Sequence, residues 1–399
     1  MSILRKNRRY KILLLIALPV LLAAWLMHTI SWRPRVIGMP GNRKTGDDKP
    51  VAVAFSPDGM VLAISRQRIL RGRASGGRWA YATNKVELCD IRSGATLRTL
   101  YAPHEVSGPG GSSISPGPFR ELHFSPNGRV LTGISWNGDM ALLDTQSGKC
   151  ISLRMADFNP TNTKYSHLRH LFIGFSRDSA QLLFTEQWGK RTTTHTEESE
   201  KQALHRANII TVATDTGALM SRVPLALPRG EWPDRTALTP DGRTLVCSTR
   251  LGTETSSYGR GGKIILFDAR SGQRLRVLQQ GFSETISLAC SPVEPLVAVS
   301  WKGLISKPDG AQFFDLRLNQ STTIQTGPNE RPNNFTFSSD GKLVAGLSGE
   351  RICLWNTRTG QLTQDLGKVS PWVSGLRFSP NGNTLASSGD TVAQIRRIR

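Results

Sequence analysis

Apolar residues occur along this chain in short runs cut by turns, without the three-to-four spacing of helices, and one turn keeps returning. An aromatic residue followed by Ser-Pro-Asp/Asn-Gly stands at Phe55-Ser56-Pro57-Asp58-Gly59, Phe124-Ser125-Pro126-Asn127-Gly128 and Phe378-Ser379-Pro380-Asn381-Gly382. Looser copies begin at Phe175, Leu238, Cys290 and Phe337. Proline sets φ, Asp and Asn bond back to nearby backbone, and glycine accepts positive φ, so each copy is a chemically specified turn between strands. The anchors lie 69, 51, 63, 52, 47 and 41 residues apart. A strand-rich period of that length predicts an all-β, seven-bladed β-propeller.

The sixth copy shows the unit. Asn334 to Phe337 reads as strand a, Leu343 to Leu347 as strand b, Arg351 to Trp355 as strand c, and strand d begins near Gln361-Leu362. The turn after strand c, Asn356-Thr357-Arg358-Thr359-Gly360, has relatives at Asp90 to Gly94, Asp144 to Gly148, Asp215 to Gly217 and Asp268 to Gly272. Strands b such as Val61 to Ile64, Leu182 to Phe184 and Leu296 to Val299 are nearly all apolar and should be buried on both faces between blades. The last strand c, Val392 to Arg396, has no strand d after it, while Arg35 to Met39 is unassigned ahead of the first strand a. Pairing the two would complete the seventh blade and remove an exposed edge.

The ends of strands c, Cys89-Asp90, Leu143-Asp144, Phe267-Asp268, Phe314-Asp315 and Trp355-Asn356, resemble the Trp-Asp pairs of the WD40-repeat propeller family, as do the Ser-Pro-Asp-Gly turns. The resemblance covers about residues 50 to 399. No intact Trp-Asp pair occurs and the Gly-His pair before strand a is absent, which is similar to divergent, bacterial-type members. The resemblance implies a scaffold with no shared reaction. It also implies the strand exchange that closes the ring.

Composition agrees: 38 Gly and 22 Pro suit a turn-dense all-β chain. The N-terminus differs. Ile12 to Met27 is uncharged and apolar, extendable through Trp32, and Arg5, Lys6, Arg8, Arg9 and Lys11 precede it. A helix over 12–32 would span roughly 31 Å, about one hydrocarbon core. The chain therefore divides into a basic cytoplasmic N-terminus (1–11), a transmembrane signal anchor (12–32), a closing strand and linker (33–49) and the propeller (50–399). The basic flank favours a single pass with the propeller extracytoplasmic. A cleaved secretion signal is the alternative, though no small-x-small site follows the apolar run and no Cys offers lipid attachment.

In an antiparallel blade the a–b and c–d turns share one face, and the b–c and d–a connections share the other. The first kind are tight. The second are long: Arg66 to Lys85, Tyr101 to Pro118, Met155 to His167, Gln187 to Ala207, Arg250 to Lys263 and Trp301 to Gly310. Insertions gathered on one rim of a rigid frame are placed to bind; drifted loops without a ligand are the plainer reading. The first insertion is the most distinctive, with Arg66, Arg68, Arg71, Arg73, Arg78 and Lys85 free of acids and Trp79 and Tyr81 among them. Cations among aromatics suit an anionic surface, envelope polymer or lipid headgroups. Of the net charge of +21, +8 lies in residues 1–49, with ten Lys/Arg against two Asp, and the remainder is spread over all blades, which disfavours a dedicated nucleic-acid interface.

Catalytic signals are thin. His167 and His170 lack further metal ligands at useful spacing, Gly259 to Lys263 departs from a phosphate loop at Ser257 and Ile264, and no G-x-S-x-G elbow occurs. Neither metal nor cofactor is expected. Cys89, Cys150, Cys247, Cys290 and Cys353 fall in five blades and read as small buried hydrophobes, outside any disulfide framework. The favoured reading is a membrane-anchored, noncatalytic scaffold for protein partners. The alternatives are a self-assembling envelope protein and a propeller enzyme of hydrolase, lactonase or quinoprotein type with a metal or cofactor in the central channel. The enzyme would need polar residues on strands a, where His123 is the exception among apolar residues and Gly.

Overall fold

The computed structural model describes residues 35–37, 49–67, 69–70, 80–81, 85–101, 106–107, 113–114, 118–135, 138–154, 167–189, 205–251, 261–304, 308–327, 330–369, 373, 375–389 and 392–398. Every regular element among them is a strand; most form seven four-stranded antiparallel sheets, and the rest make two short hairpins, Ile69–Leu70 with Ala80–Tyr81 and Val106–Ser107 with Ser113–Ile114. Blade 1 is Lys49–Phe55, Val61–Gln67, Lys85–Asp90 and Thr96–Tyr101; blade 2 is Phe119–Phe124, Val130–Ser135, Met140–Asp144 and Cys150–Arg154. Blades 3 to 6 open with strands a at His167–Phe175, Glu231–Leu238, Glu284–Cys290 and Asn333–Phe337. Blade 7 takes Leu376–Phe378, Thr384–Ser387 and Ala393–Arg397 from the C-terminus and Arg35–Ile37 from the N-terminus. The expected closure is present: Arg35 pairs with Ile395, Val36 with Gln394 and Ile37 with Ala393.

The core is distributed, with one apolar cluster at each of the seven blade interfaces. Strands b are buried as expected; Leu62, Ala63 and Ile64 are wholly so. The interface that joins last blade to first contains Ile37, Val53, Phe55, Ile64, Ala386, Ala393 and Ile395, so the N-terminal strand contributes to packing as well as to the ladder. Trp355, in strand c of blade 6, is buried, and its Nε1–H donates to the Gln325 carbonyl beside blade 5 at 2.7 Å.

The repeated turns also interlock the blades. In the first, the Ser56 hydroxyl donates to Asp58 (2.5 Å), whose carboxylate accepts from the Met60 amide (2.9 Å), and both contacts lower the Asp58 pKa. In the c–d turns, the Gly360 carbonyl accepts from the Gln325 amide, and that of Gly272 from Ala226, each 2.9 Å and each reaching back toward the preceding blade. Gly360 has φ of +70°, and a Cβ there would be driven against the Thr323 carbonyl oxygen. Gly360→Ala should therefore lower stability by about 2 kcal/mol or more, read from the urea midpoint. A midpoint equal to wild type would contradict this locking role.

Residues 1–34, with the expected basic N-terminus and 12–32 anchor, lie outside the described residues. Among the described residues no helix is long and apolar enough to cross a membrane. One expectation is revised in blade 3, where strands Gln181–Gly189 and His205–Ala213 take in both ends of the connection read as Gln187 to Ala207. Their nine-residue pairing continues the ladder beyond the usual blade edge.

Candidate functional site

Between blades 2 and 3 the His123 ring meets Phe172, and strands a lie against one another at the other blade junctions, so together they wall the central channel. Their phase along the channel is set by bulges. In blade 2, Phe119 pairs with Ser135 and Glu121 with Ile134, so Arg120 is the extra residue, and the ladder then resumes through Leu122 and His123. Similar register shifts occur in strands a of blades 1, 3, 4, 5 and 6. After the bulge, Leu122 packs into the interface with blade 1, so Glu121 and His123 take the opposite face of the strand, where His123 meets Phe172 of blade 3 and lines the channel cavity.

The channel is more polar than the expected lining of apolar residues and Gly. Glu121 lies 3.4 Å from the Arg120 guanidinium and 3.6 Å from His123 Nε2. Burial alone would raise the Glu121 carboxyl, but His123 and the positive fields of Arg120 and Arg377 outweigh it and bring the pKa to about 2. Burial pushes His123 the other way, below its ordinary 6.5, despite the carboxylate beside it. Its ring stacks on Phe172 of blade 3, 3.7 Å between centroids and 6° from parallel. Asp234 and Arg235, from strand a of blade 4, and Arg169 of blade 3 lie within electrostatic range of Arg120.

Those shifts fix a pH dependence. The unfolded chain takes up a proton at His123 that the folded chain resists, so this contribution to stability is complete above about 6.5 and declines as pH falls below it. The Glu121 contribution survives to lower pH and is lost toward 2. Urea unfolding at successive pH values should show the first decline, and His123→Gln should flatten it. An identical slope in the variant would contradict the assignment.

Where strands a meet the a–b turns, the channel widens into a cavity of about 450 Å³. Phe124, Phe172, Phe175, Phe337 and Phe378 supply an apolar wall, turn prolines Pro126, Pro292 and Pro380 ring the mouth, and His123 and Arg377 are its ionisable groups. Arg377 and His123 occupy the same repeat position, immediately before the aromatic residue of the Ser-Pro-Asn-Gly turn. Ala54, Gly174, Ala237, Ala289 and Thr336 hold that position elsewhere, so two blades alone place an ionisable side chain there. His123 stood out in the sequence, whereas Arg377 did not; comparing that one position across the copies would have found it.

The basic-aromatic insertion is divided by the structure. Arg66 is 1% exposed, its Nε 2.5 Å from Glu87, while Lys85 Nζ lies 2.8 Å from the same carboxylate. Burial would raise Glu87, but Lys85 and Arg66 together keep its pKa below the usual value. Arg66 and Lys85 are thus engaged inside blade 1, which corrects the expectation that both belong to an open cationic loop. Tyr81 sits in a two-residue strand whose backbone pairs with Ile69. Arg68, Arg71, Arg73, Arg78 and Trp79 lie outside the described residues.

The weaker sequence candidates have structural roles. Nδ1 of buried His170 lies 2.7 Å from the Gly138 carbonyl of blade 2, and its ring meets Phe184 edge-on. His167 and His170 share the strand His167–Phe175. Lys263 pairs with buried Glu231, which also accepts from the Thr249 hydroxyl at 2.6 Å. All five cysteines are free thiols; Cys89, Cys247 and Cys353 are buried, while Cys150 and Cys290 are half-buried. Among the described residues no group of three His, Cys, Asp or Glu is placed to hold a metal.

A family model described as WD domain, G-beta repeat, matches residues 360–395. Among solved structures the chain is similar to Kuenenia stuttgartiensis hydrazine synthase, at 15% identity and a TM-score of 0.58, over 88% of this chain and 96% of that one. Identity that low carries the fold alone. No curated relative matches the sequence.

Proposed function

We propose that this WD40-like β-propeller is a membrane-tethered, noncatalytic interaction platform. One observation carries the reading: the two faces of the ring are used differently. The closing strand Arg35–Ile37 runs antiparallel to Ala393–Arg397, so it starts on the tight-turn face; on this reading the apolar stretch ahead of it in sequence is the tether on that side. The long connections leave from the opposite face. With 12–32 as a single-pass signal anchor and the N-terminus in the cytoplasm, the propeller is extracytoplasmic and its irregular rim points away from the bilayer. A protein partner is the favoured occupant of that rim. Arg68, Arg71, Arg73 and Arg78, with Trp79 and Tyr81, suit an acidic surface on it, and also an anionic envelope polymer or lipid headgroups.

The test uses the full-length chain in lipid nanodiscs as bait for envelope extracts, beside a variant whose residues 71–79 are replaced by Gly-Ser of equal length. Wild type should retain a component that the variant loses and that raised salt elutes. Capture indifferent to both loop and salt would overturn the reading. Protease added to intact spheroplasts should degrade the propeller; a protected C-terminal domain would reverse the orientation.

The channel gives the enzyme reading its one favourable observation, the Glu121–His123 contact with Arg377 on the same wall. Turnover of any substrate that His123→Ala abolished while leaving the fold intact would make that reading the better one.

A further inference from the structure

We infer that the cavity at the tight-turn mouth of the channel binds a small organic acid, a single carboxylate carried on an apolar body of about one aromatic ring. The volume of about 450 Å³ lies within the range of small-ligand pockets. Phenyl rings, prolines and Leu122 make much of the wall apolar, which calls for an apolar body, and the stacked His123 and Phe172 add a flat double layer to it.

The charge comes from Arg377. Its Nη1 donates to the carbonyl of its neighbour Leu376 at 2.9 Å, and among the described residues no carboxylate stands within ion-pair distance of it. The rest of a guanidinium fork, able to hold a carboxylate through two N–H donors, is therefore available at the cavity wall. A cationic ligand is disfavoured by that group. Glu121 cannot offset it freely, because it is already within 3.4 Å of Arg120 and 3.6 Å of His123. Among the described residues Arg377 is the one Lys or Arg in the lining, so a dianion such as a phosphate monoester would bring in a second charge with no permanent cation to meet it. One negative charge on an apolar body is what the walls and the cation jointly accept.

This site is on the opposite face from the long connections, so it is independent of the rim proposed above, and replacing residues 71–79 should leave it untouched. The experiment is titration calorimetry of the full-length chain in zwitterionic nanodiscs with 3-phenylpropionate, with empty nanodiscs as background. The acid should bind saturably, with 3-phenylpropionamide and acetate each weaker by on the order of tenfold or more, since one lacks the charge and the other the body. Arg377→Met should weaken the acid by a similar factor while leaving the amide unchanged. Ser339 is exposed on a turn at the mouth, so Ser339→Trp should plug the cavity and abolish binding at an unchanged melting temperature. Amide and acid binding equally, full affinity in Arg377→Met, or wild-type binding in Ser339→Trp would each overturn the inference. So would the absence of saturable binding by 3-phenylpropionate to the wild-type chain.

Discussion

Replacing Ile37 with aspartate is expected to destabilise the whole propeller by about 4 kcal/mol, far out of proportion to a three-residue strand. Ile37 is fully buried against residues of blades 1 and 7. The substitution removes a branched apolar side chain from that interface and leaves a carboxyl where burial penalises charge. It also weakens the one junction at which the ring is held by noncovalent contacts between the two ends of the described chain. Urea unfolding should show the loss, and hydrogen exchange should show Ala393–Arg397 deprotected first. Leu97→Asp is the control, because Leu97 is 60% exposed and its loss should fall within about 0.5 kcal/mol. Equal effects of the two variants would mean that the N-terminal strand does not close the ring.

Glu87→Ala is expected to cost about 3–5 kcal/mol, because it strands the buried Arg66 guanidinium without its carboxylate. Pairing Glu87→Ala with Arg66→Met should restore part of that loss, the behaviour of a coupled pair. Glu87 also contributes stability that is present above the ordinary carboxyl range and lost as pH falls through its lowered value, so the variant should be flatter in acid than wild type. Replacing Arg68, Arg71, Arg73 or Arg78 by Gln should leave stability within about 0.5 kcal/mol. If instead Glu87→Ala were neutral and the loop arginines costly, the division of the insertion between blade and rim would be the wrong way round.

The fold was legible because its turns are chemical rather than statistical. Ser56, Pro57, Asp58 and Gly59 each contribute a specific bond or dihedral, and the copies recur at blade spacing. The structure makes the same turn at Ser179, where a non-glycine residue takes φ of 63°, so even a degraded copy kept its place. Closure was legible from an arithmetic of strands: the strand at 393–397 needed an outer partner and the one at Arg35–Ile37 had no other blade to join.

The site was less legible, and the reason is physical. Alternation assigns channel and interface residues only while the phase is unbroken, and a bulge in strand a shifts it by one just before the residues that line the cavity. Glu121 and Arg235 are therefore placed by a bulge, a feature that hydrophobic pattern does not encode. In the first insertion, proximity in sequence grouped Arg66 and Lys85 with the loop arginines. The ladder separates them, because Arg66 pairs with Lys85 across strands b and c, which brings both cations to Glu87.

Closure of the ring by the N-terminal strand underlies the orientation of both faces, and one cross-link tests it. Val36 and Gln394 are register partners, and Cα atoms across an antiparallel pair lie within the span a disulfide needs. In Val36→Cys/Gln394→Cys, mild oxidation should give an intramolecular disulfide in high yield, seen by mass spectrometry as one peptide joining the two ends of the chain. Free thiols at both positions, or a bond between two copies of the chain, would contradict the account.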